Sequence, residues 1–265
     1  MPAPTARKSK HLWLDATPRA FAREQRVCEQ DGQLAFGYTF GGMLRRAGLI
    51  GDIHCEVARL KRVIEHFRSL GVDSVLAVGD IADGHGDLNE TCALLRAEGV
   101  VAVAGNHDRW LLAGEMRDLP DATRLETVTP EARSYLVALP KTRLLESPRG
   151  AVLLCHGLGE DDMATVRPDD DCEALRGNAA FLKLLTQRPA RFVVNGHSHR
   201  PMLRTIDGLT ILNAGTLHPK DRSVCAIADF DAGELQIYDV RSTTLTPAES
   251  WSFQRGSRPI QSLAE

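Results

Sequence analysis

The chain has 265 residues, of which 43% are hydrophobic and 25% charged, with a formal net charge of −3 at pH 7. This is the composition of an ordinary globular domain. The balanced charge gives no general pull toward nucleic acid or a membrane surface, and no apolar run reaches the ~20 residues that a membrane helix needs.

Residues 1–43 read as an N-terminal extension. Its basic start (Arg7, Lys8, Lys10) is followed by no apolar stretch that would make a signal peptide. Thr17-Pro18 predicts a helix over 18–30, as cap and first-turn proline. Residues 31–43 form a glycine-rich irregular or hairpin lead-in. From Leu44 a β–α rhythm sets in. A strand over 44–50 precedes a helix from Glu56 to Leu70, whose Val57, Leu60, Ile64 and Phe67 share one face. A strand over 74–78, a helix over 88–98 and the strand Val100–Ala104 follow. These strands are apolar on both faces, as in a parallel sheet covered by right-handed crossovers. Residues 109–140 carry a helical pattern interrupted by Pro120 and Pro130, with Asp108 as the N-cap of a helix starting at Arg109.

The second half is strand-rich. Runs at 144–145, 151–155, 192–195, 202–206, 210–213, 224–230 and 234–240 read as strands, and Asp207-Gly208 marks a hairpin. A helix over 172–186 stands behind Asp169, Asp170 and Asp171, where negative charge suits its N-terminal end. Residues 44–241 are taken as one domain and 242–265 as a tail or an added edge. The six cysteines are scattered without a C-x-x-C pair, which fits reduced thiols in a cytoplasmic protein better than a disulfide framework.

Five strand ends share one pattern. Gly51 leads into Asp52-Ile-His54, Gly79 into Asp80-Ile-Ala-Asp83, Gly105 into Asn106-His-Asp108, Cys155 into His156-Gly157, and Gly196 into His197-Ser-His199. Open α/β sheets place ligands at the carboxyl ends of their strands, and five of the nine histidines lie at these ends. Taken singly, each has a plain structural explanation: a surface turn for Asp52 and His54, a helix cap for Asp80, a hydrogen-bonded core side chain for His156. Together they form the inventory of a metal site, since imidazoles and carboxylates suit Zn, Fe, Mn, Ni or Co. One ion takes three or four ligands. Asp52, His54, Asp80, Asn106, His156, His197 and His199 are enough for two that share a bridging carboxylate. Such a pair, ~3.5–4 Å apart, activates a bridging water and clamps an in-line displacement at phosphorus. The neutral Asn106 limits the negative charge that a phosphate must approach.

These blocks resemble the calcineurin-like metallophosphoesterase superfamily, in that family's order over residues 51–199. Asn213-Ala-Gly-Thr216 resembles the closing motif of its small bacterial and archaeal phosphodiesterase branch. The resemblance implies an α/β fold: a four-layer α-β-β-α sandwich of two packed mixed β-sheets with flanking helices. It implies a first divalent ion on Asp52, His54, Asp80 and His199 and a second on Asp80, Asn106, His156 and His197, with Asp80 bridging. Mn is the first choice, with Fe, Zn, Ni or Co as alternatives. His107 takes the place of the catalytic histidine, which assists the leaving group after attack by a hydroxide shared between the ions. Asp83 takes the place of the acid that orients it.

Phosphoprotein phosphatases and symmetrical dinucleoside tetraphosphatases of this superfamily carry an arginine directly after that acid, where this chain has Gly84. The former carry another where this chain has Ala104, and class III cyclic-nucleotide phosphodiesterases carry a second histidine where it has Gly157. Arginine forks bind phosphate bidentately, so the expectation is a small phosphodiester substrate, with a phosphomonoester or nucleotide second. Arg109, Arg200 and His85 flank the motifs and are candidates for substrate contact. A non-catalytic interaction scaffold on the same fold is the alternative from another class, against which the presence of His107 speaks. A nuclease would call for a basic groove, of which the balanced charge gives no sign. No membrane partner is expected, and association with a second copy is left open.

Overall fold

A computed structural model describes residues 24–26, 36–38, 42–242 and 244–255. The apolar runs pair into two sheets. The first contains β3 (Arg46–Ile50), β4 (Ser74–Ala77), β5 (Val101–Ala102), β11 (Val224–Asp229), β12 (Glu234–Val240) and β13 (Leu245–Ser252), in the order β13-β12-β11-β3-β4-β5. β3, β4 and β5 run parallel, and the other pairings are antiparallel. The second contains β6 (Thr142–Ser147), β7 (Gly150–Cys155), β8 (Phe192–Asn195), β9 (Met202–Ile206) and β10 (Leu209–Asn213), in the order β6-β7-β8-β10-β9. Here β7, β8 and β10 are parallel and the two edge strands antiparallel.

Why the runs are apolar on both faces is visible in the packing. Along β4 and its end, Leu76 and Val78 face the space between the sheets, while Val75 and Ala77 face the helices. Along β8, Phe192 and Val194 point inward and Val193 outward. This period of two fills three apolar layers at once. Outside the first sheet lie α1 (Val57–Ser69), α2 (Leu88–Ala97), α3 (Asn106–Ala113) and α4 (Pro130–Val137). Outside the second lie α5 (Cys172–Arg176) and α6 (Ala179–Gln187). The expected four layers are present. α1 buries Leu60, Val63, Ile64 and Phe67, each contributing about 1.5–3 kcal/mol of transfer free energy.

Several boundaries differ from expectation. The helix expected over 18–30 is contradicted at β1 (Glu24–Arg26), which pairs antiparallel with β2 (Phe36–Tyr38). Pairing with a partner strand overrides the local signal there, and the rest of 18–30, like Thr17-Pro18, the basic start and Cys28, lies outside the described residues. Pro130 does not interrupt a helix but opens one: it holds the first position of α4, and the Thr129 side chain accepts from Ala132 N. The helix expected over 172–186 is two, parted at Gly177 and Asn178, where Asn178 caps α6 by accepting from Phe181 N. Asp171, the last of the three aspartates, caps α5. Asp207 and Gly208, at φ 48° and 83°, turn β9 into β10 as expected. β13 joins the edge of the first sheet against β12.

Candidate metal centre

The site forms where the carboxyl ends of β3, β4 and β5 meet those of β7, β8 and β10. Leu217 N and the Thr216 hydroxyl both donate to Asp52 O, and Asp52 N donates to Gly215 O. Six non-glycine residues here adopt left-handed backbone: His54, Cys55, Asp80, Asp83, His197 and His199, with φ between 46° and 63°. Each such residue costs on the order of 1–3 kcal/mol and persists only where its surroundings fix it. Those surroundings are polar bonds between loops. Ile53 N and His54 N donate to Asp80 O, His107 N to Asp80 Oδ1 at 2.9 Å, and His197 N to Asp52 Oδ1 at 3.1 Å. A Cβ on Gly105 would stand 2.1 Å from Asp80 Oδ1, so only glycine lets this loop close on the carboxylate.

Asp108 is not the cap expected of it. α3 begins at Asn106, with Gly105 as N-cap and Asp108 in its first turn. The buried carboxylate of Asp108 accepts from Gly105 N, Ile81 N and Ala82 N, all at 2.9 Å. It binds two site loops together, which is why the helix starts three residues early. Burial and the neighbouring Asp80 charge push its pKa up to about 7, against the pull of those backbone bonds.

Asp80 is the meeting point of two groups. It lies with His54 and His107, and again with His156 and His197, so that the ligand atoms of each trio are within 4.8 Å of one another. His156 Nε2 is 3.3 Å from Asp80 Oδ2 and 2.9 Å from Asn106 Oδ1, and His197 Nδ1 is 3.0 Å from the same Asn106 oxygen. His54 Nε2 and His199 Nε2 are 3.2 Å apart, and His199 Nε2 is 3.4 Å from Asp52 Oδ2. The seven candidate ligands are thus brought into one pocket. Three of the imidazoles have their other nitrogen committed to oxygen: His54 Nδ1 to Asp83 O, His156 Nδ1 to Val78 O and His199 Nδ1 to Asp221 Oδ2, at 2.7–2.9 Å. Each such bond makes Nδ1 the donor and turns an Nε2 lone pair into the pocket, which is how a metal-binding imidazole is oriented.

The residues fit divalent cations. Two acceptor nitrogens face each other at 3.2 Å, an arrangement that needs an electrophile between them. Asp52 Oδ2 is buried with no hydrogen-bond partner, a costly state for a carboxylate oxygen unless a cation faces it. Burial raises the Asp80 carboxyl and lowers the His156 imidazole. The attraction between them, joined by His107 and His54 on Asp80 and by Asp52 on His156, wins in both. Asp80 lies well below the usual carboxylate range and His156 well above the usual imidazole range. Between Asp80 and His156 the pocket stabilises positive charge.

Beside it, His107 Nδ1 donates to Asp83 Oδ2 at 2.8 Å. The other bonds to Asp83 come from Arg117, through both Nη atoms, and from Thr123 N. Burial works against the Asp83 charge, but the bonds from His107, Arg117 and Thr123 hold its pKa at about 2. Burial likewise lowers His107, and Asp83 and Asp80 outweigh it, so His107 stands above its usual value. The ring of Trp110, one turn along α3, packs edge-on to His107 with centroids 4.8 Å apart.

The calcineurin-like phosphoesterase superfamily domain matches residues 46–233, well over half of the chain. The chain belongs to the calcineurin-like phosphoesterase superfamily. A probable metallophosphoesterase of Methanothermobacter thermautotrophicus is 30% identical over 113 residues, covering 40% of this chain and 58% of that protein, so the match spans less than two thirds of its relative. A metallophosphoesterase from Sphaerobacter thermophilus has a similar structure, with a TM-score of 0.56 at 21% identity, over 74% of this chain and 88% of that one. A hypothetical protein of Pyrococcus horikoshii gives a TM-score of 0.59 at 14% identity with the same coverage. At those identities the likeness is one of fold.

In this member of the superfamily the three candidate substrate contacts are each engaged by an acid. Arg109 forks onto Asp162 through Nε and Nη2, Arg200 bonds Asp169, and His85 stands 3.4 Å from Asp121. Gly84, where an arginine is absent, has no room for a side chain: a Cβ would stand 1.8 Å from His54 O. Sequence reading missed Asp221, His218, Arg117 and Thr123. His218 packs edge-on to His54 with ring centroids 5.2 Å apart; burial, then the His54 and His199 charges, lower it to about 4. Asp221 and His218 follow the Asn213–Thr216 block closely, and that proximity is the one signal that points to them. Arg117 and Thr123 lie in a segment without a motif.

Proposed function

We propose that this chain is a dinuclear metal-dependent phosphoesterase that hydrolyses a small phosphodiester by in-line displacement. The observation that carries the reading is Asp80, shared by two groups of donors, one with His156 and His197 and the other with His54 and His107, the latter hydrogen-bonded to the buried Asp83. One divalent ion would be held by Asp52, His54, Asp80 and His199 and a second by Asp80, Asn106, His156 and His197, with Mn first and Fe, Zn, Ni or Co as alternatives. When bound, such ions polarise a phosphoryl oxygen and lower the pKa of water. The chain's own residues supply the rest. Asp83 commits His107 Nδ1 and leaves Nε2 to pass a proton to the leaving oxygen. Asp108 and Gly105 hold the Asp80 and Asn106 loops in register, and Asp221 aims His199.

The preference for a singly charged diester follows from the cations around the site. Arg109, Arg200 and Lys220 are paired with Asp162, Asp169 and Asp121, and Arg117 with Asp83. A terminal phosphate dianion would have to compete with a carboxylate for each fork. A phosphomonoester or nucleotide is the second reading, and Arg109, nearest in sequence to His107, is the residue that would serve it. A cytoplasmic setting belongs to the same proposal and rests on the scattered cysteines; among the described residues no helix is long and apolar enough to cross a membrane. The test is hydrolysis of bis(p-nitrophenyl) phosphate with Mn²⁺, Ni²⁺ or Co²⁺. Turnover in the wild type is expected, and on a diester with an alkyl alcohol as leaving group a fall of about 10²–10⁴ in kcat for His107→Ala at unchanged metal content, with a smaller fall on the p-nitrophenyl ester. An inactive wild type with all three metals would favour a scaffold.

A further inference from the structure

Arg117 lies in the segment between α3 and α4, outside every motif of the site. Four of the five N–H groups of its guanidinium donate to protein acceptors. Nη1 donates to Asp83 Oδ1 at 2.8 Å and to Thr123 O at 3.2 Å, Nη2 to Asp83 Oδ2 at 2.9 Å, and Nε to Glu115 O at 2.6 Å. Thr123 closes the arrangement, since its N–H donates to Asp83 Oδ1 and its hydroxyl accepts from Asp83 N. The side chain of Asp83 is 3% exposed and that of His107 22%, so the carboxylate is enclosed and the ring reaches the cleft. A fork with both arms on one carboxylate fixes its plane, and the remaining direction on Oδ2 is taken by His107 Nδ1. The residue after Asp83 cannot do this work, because Gly84 lies against His54 O.

We infer that Arg117 is a positioning residue for His107, acting through Asp83. The fork holds the carboxylate so that the His107 Nδ1–H is committed to it and Nε2 faces the reaction. As the P–O bond to the leaving group breaks, its electron pair stays on the leaving oxygen and the Nε2 proton moves there. Water supplies the oxygen of the new P–O bond, and the proton it releases makes good the one His107 gave. Arg117 touches no substrate atom, which separates it from a phosphate-binding arginine. The inference rests on the phosphoesterase reading for its kinetic arm alone.

The experiment compares wild type, Arg117→Ala, Arg117→Lys, Asp83→Asn and the double variant Arg117→Ala/Asp83→Asn, all metal-loaded. Diesters with p-nitrophenol and with alkyl alcohols as leaving groups are the substrates. For alkyl leaving groups Arg117→Ala should lose about 10²-fold in kcat, within the usual worth of a positioned acid, with KM and metal content held. For p-nitrophenolate, which leaves without a proton, the loss should be several-fold smaller. Guanidinium added to Arg117→Ala should restore part of the rate. Arg117→Lys should recover little, because one ammonium cannot span both oxygens. In the Asp83→Asn background Arg117→Ala should add nothing, as for residues acting as one unit. Equal losses for both leaving groups, or a full Arg117 penalty without Asp83, would overturn the inference. ¹⁵N spectra of His107 give a second readout. Wild type should always carry a proton on Nδ1, with or without one on Nε2, and Arg117→Lys should add a population protonated on Nε2 alone; identical spectra would also overturn it. If no ester is hydrolysed by the wild type, the phosphoesterase reading fails, and the spectra still decide for Arg117.

Discussion

At the scale of single residues, the site is held by side chains that are not among the candidate ligands. Asp108 is the clearest. Asp108→Ala would strand the N–H groups of Gly105, Ile81 and Ala82 in a buried place, at about 1–3 kcal/mol each. A loss of several kcal/mol is expected in urea unfolding of the metal-free protein. Asp108→Asn, which keeps an acceptor oxygen, should lose less. Gly84→Ala is expected to displace His54 and so to weaken metal binding, measured by titration calorimetry, because its methyl would overlap the His54 carbonyl. The polar residues after the strands are legible in the sequence because glycine and a sharp change from apolar to polar mark them. Asp108 is legible too, but in the wrong role: as a potential cap it looks local, and its bonds to residues 81 and 82 cross from another strand end. Arg117, Asp221 and His218 act across gaps that no spacing rule spans.

At the scale of elements, sequence patterns serve well where apolar periodicity is long and less well at boundaries set by side-chain caps. α1 and α2 lie close to expectation because a clear apolar face runs through each. Pro130 is ambiguous because proline ends a helix or begins one, and Thr129 decides which. Thr129→Ala should cost about 1 kcal/mol, seen as a fall in thermal midpoint with activity kept, since α4 supplies none of the candidate site residues. β5 has two paired residues although the apolar run is longer, because Val103 bonds Ala77 O while Ala104 turns to bond Pro140 O. β1, where a helix is expected, shows that a short segment follows its partner rather than its own propensity.

At the scale of the whole molecule, two sheets that share an apolar layer present their parallel strand ends to each other, and the site is the polar seam left there. This architecture is legible because runs such as 75–78 and 192–194 are apolar at every position, which only strands covered on both sides require. What is not legible is which strands join which sheet, since that depends on pairing and not on periodicity. Leu154→Ala, in the layer between the sheets, should cost about 2–5 kcal/mol, whereas Leu144→Ala, 56% exposed on β6, should stay within about 0.5 kcal/mol; chemical denaturation measures both. Chelation should remove activity and lower the thermal midpoint by about 5–10 °C, if the metals were present at ~100-fold over their dissociation constant. The central claim is one carboxylate, Asp80, serving two cations. Anomalous diffraction from crystals grown with Mn²⁺ tests it most directly. Two peaks flanking Asp80 are predicted, one among Asp52, His54 and His199 and the other among Asn106, His156 and His197, whereas a single peak, or a pair of which only one touches Asp80, would contradict the account.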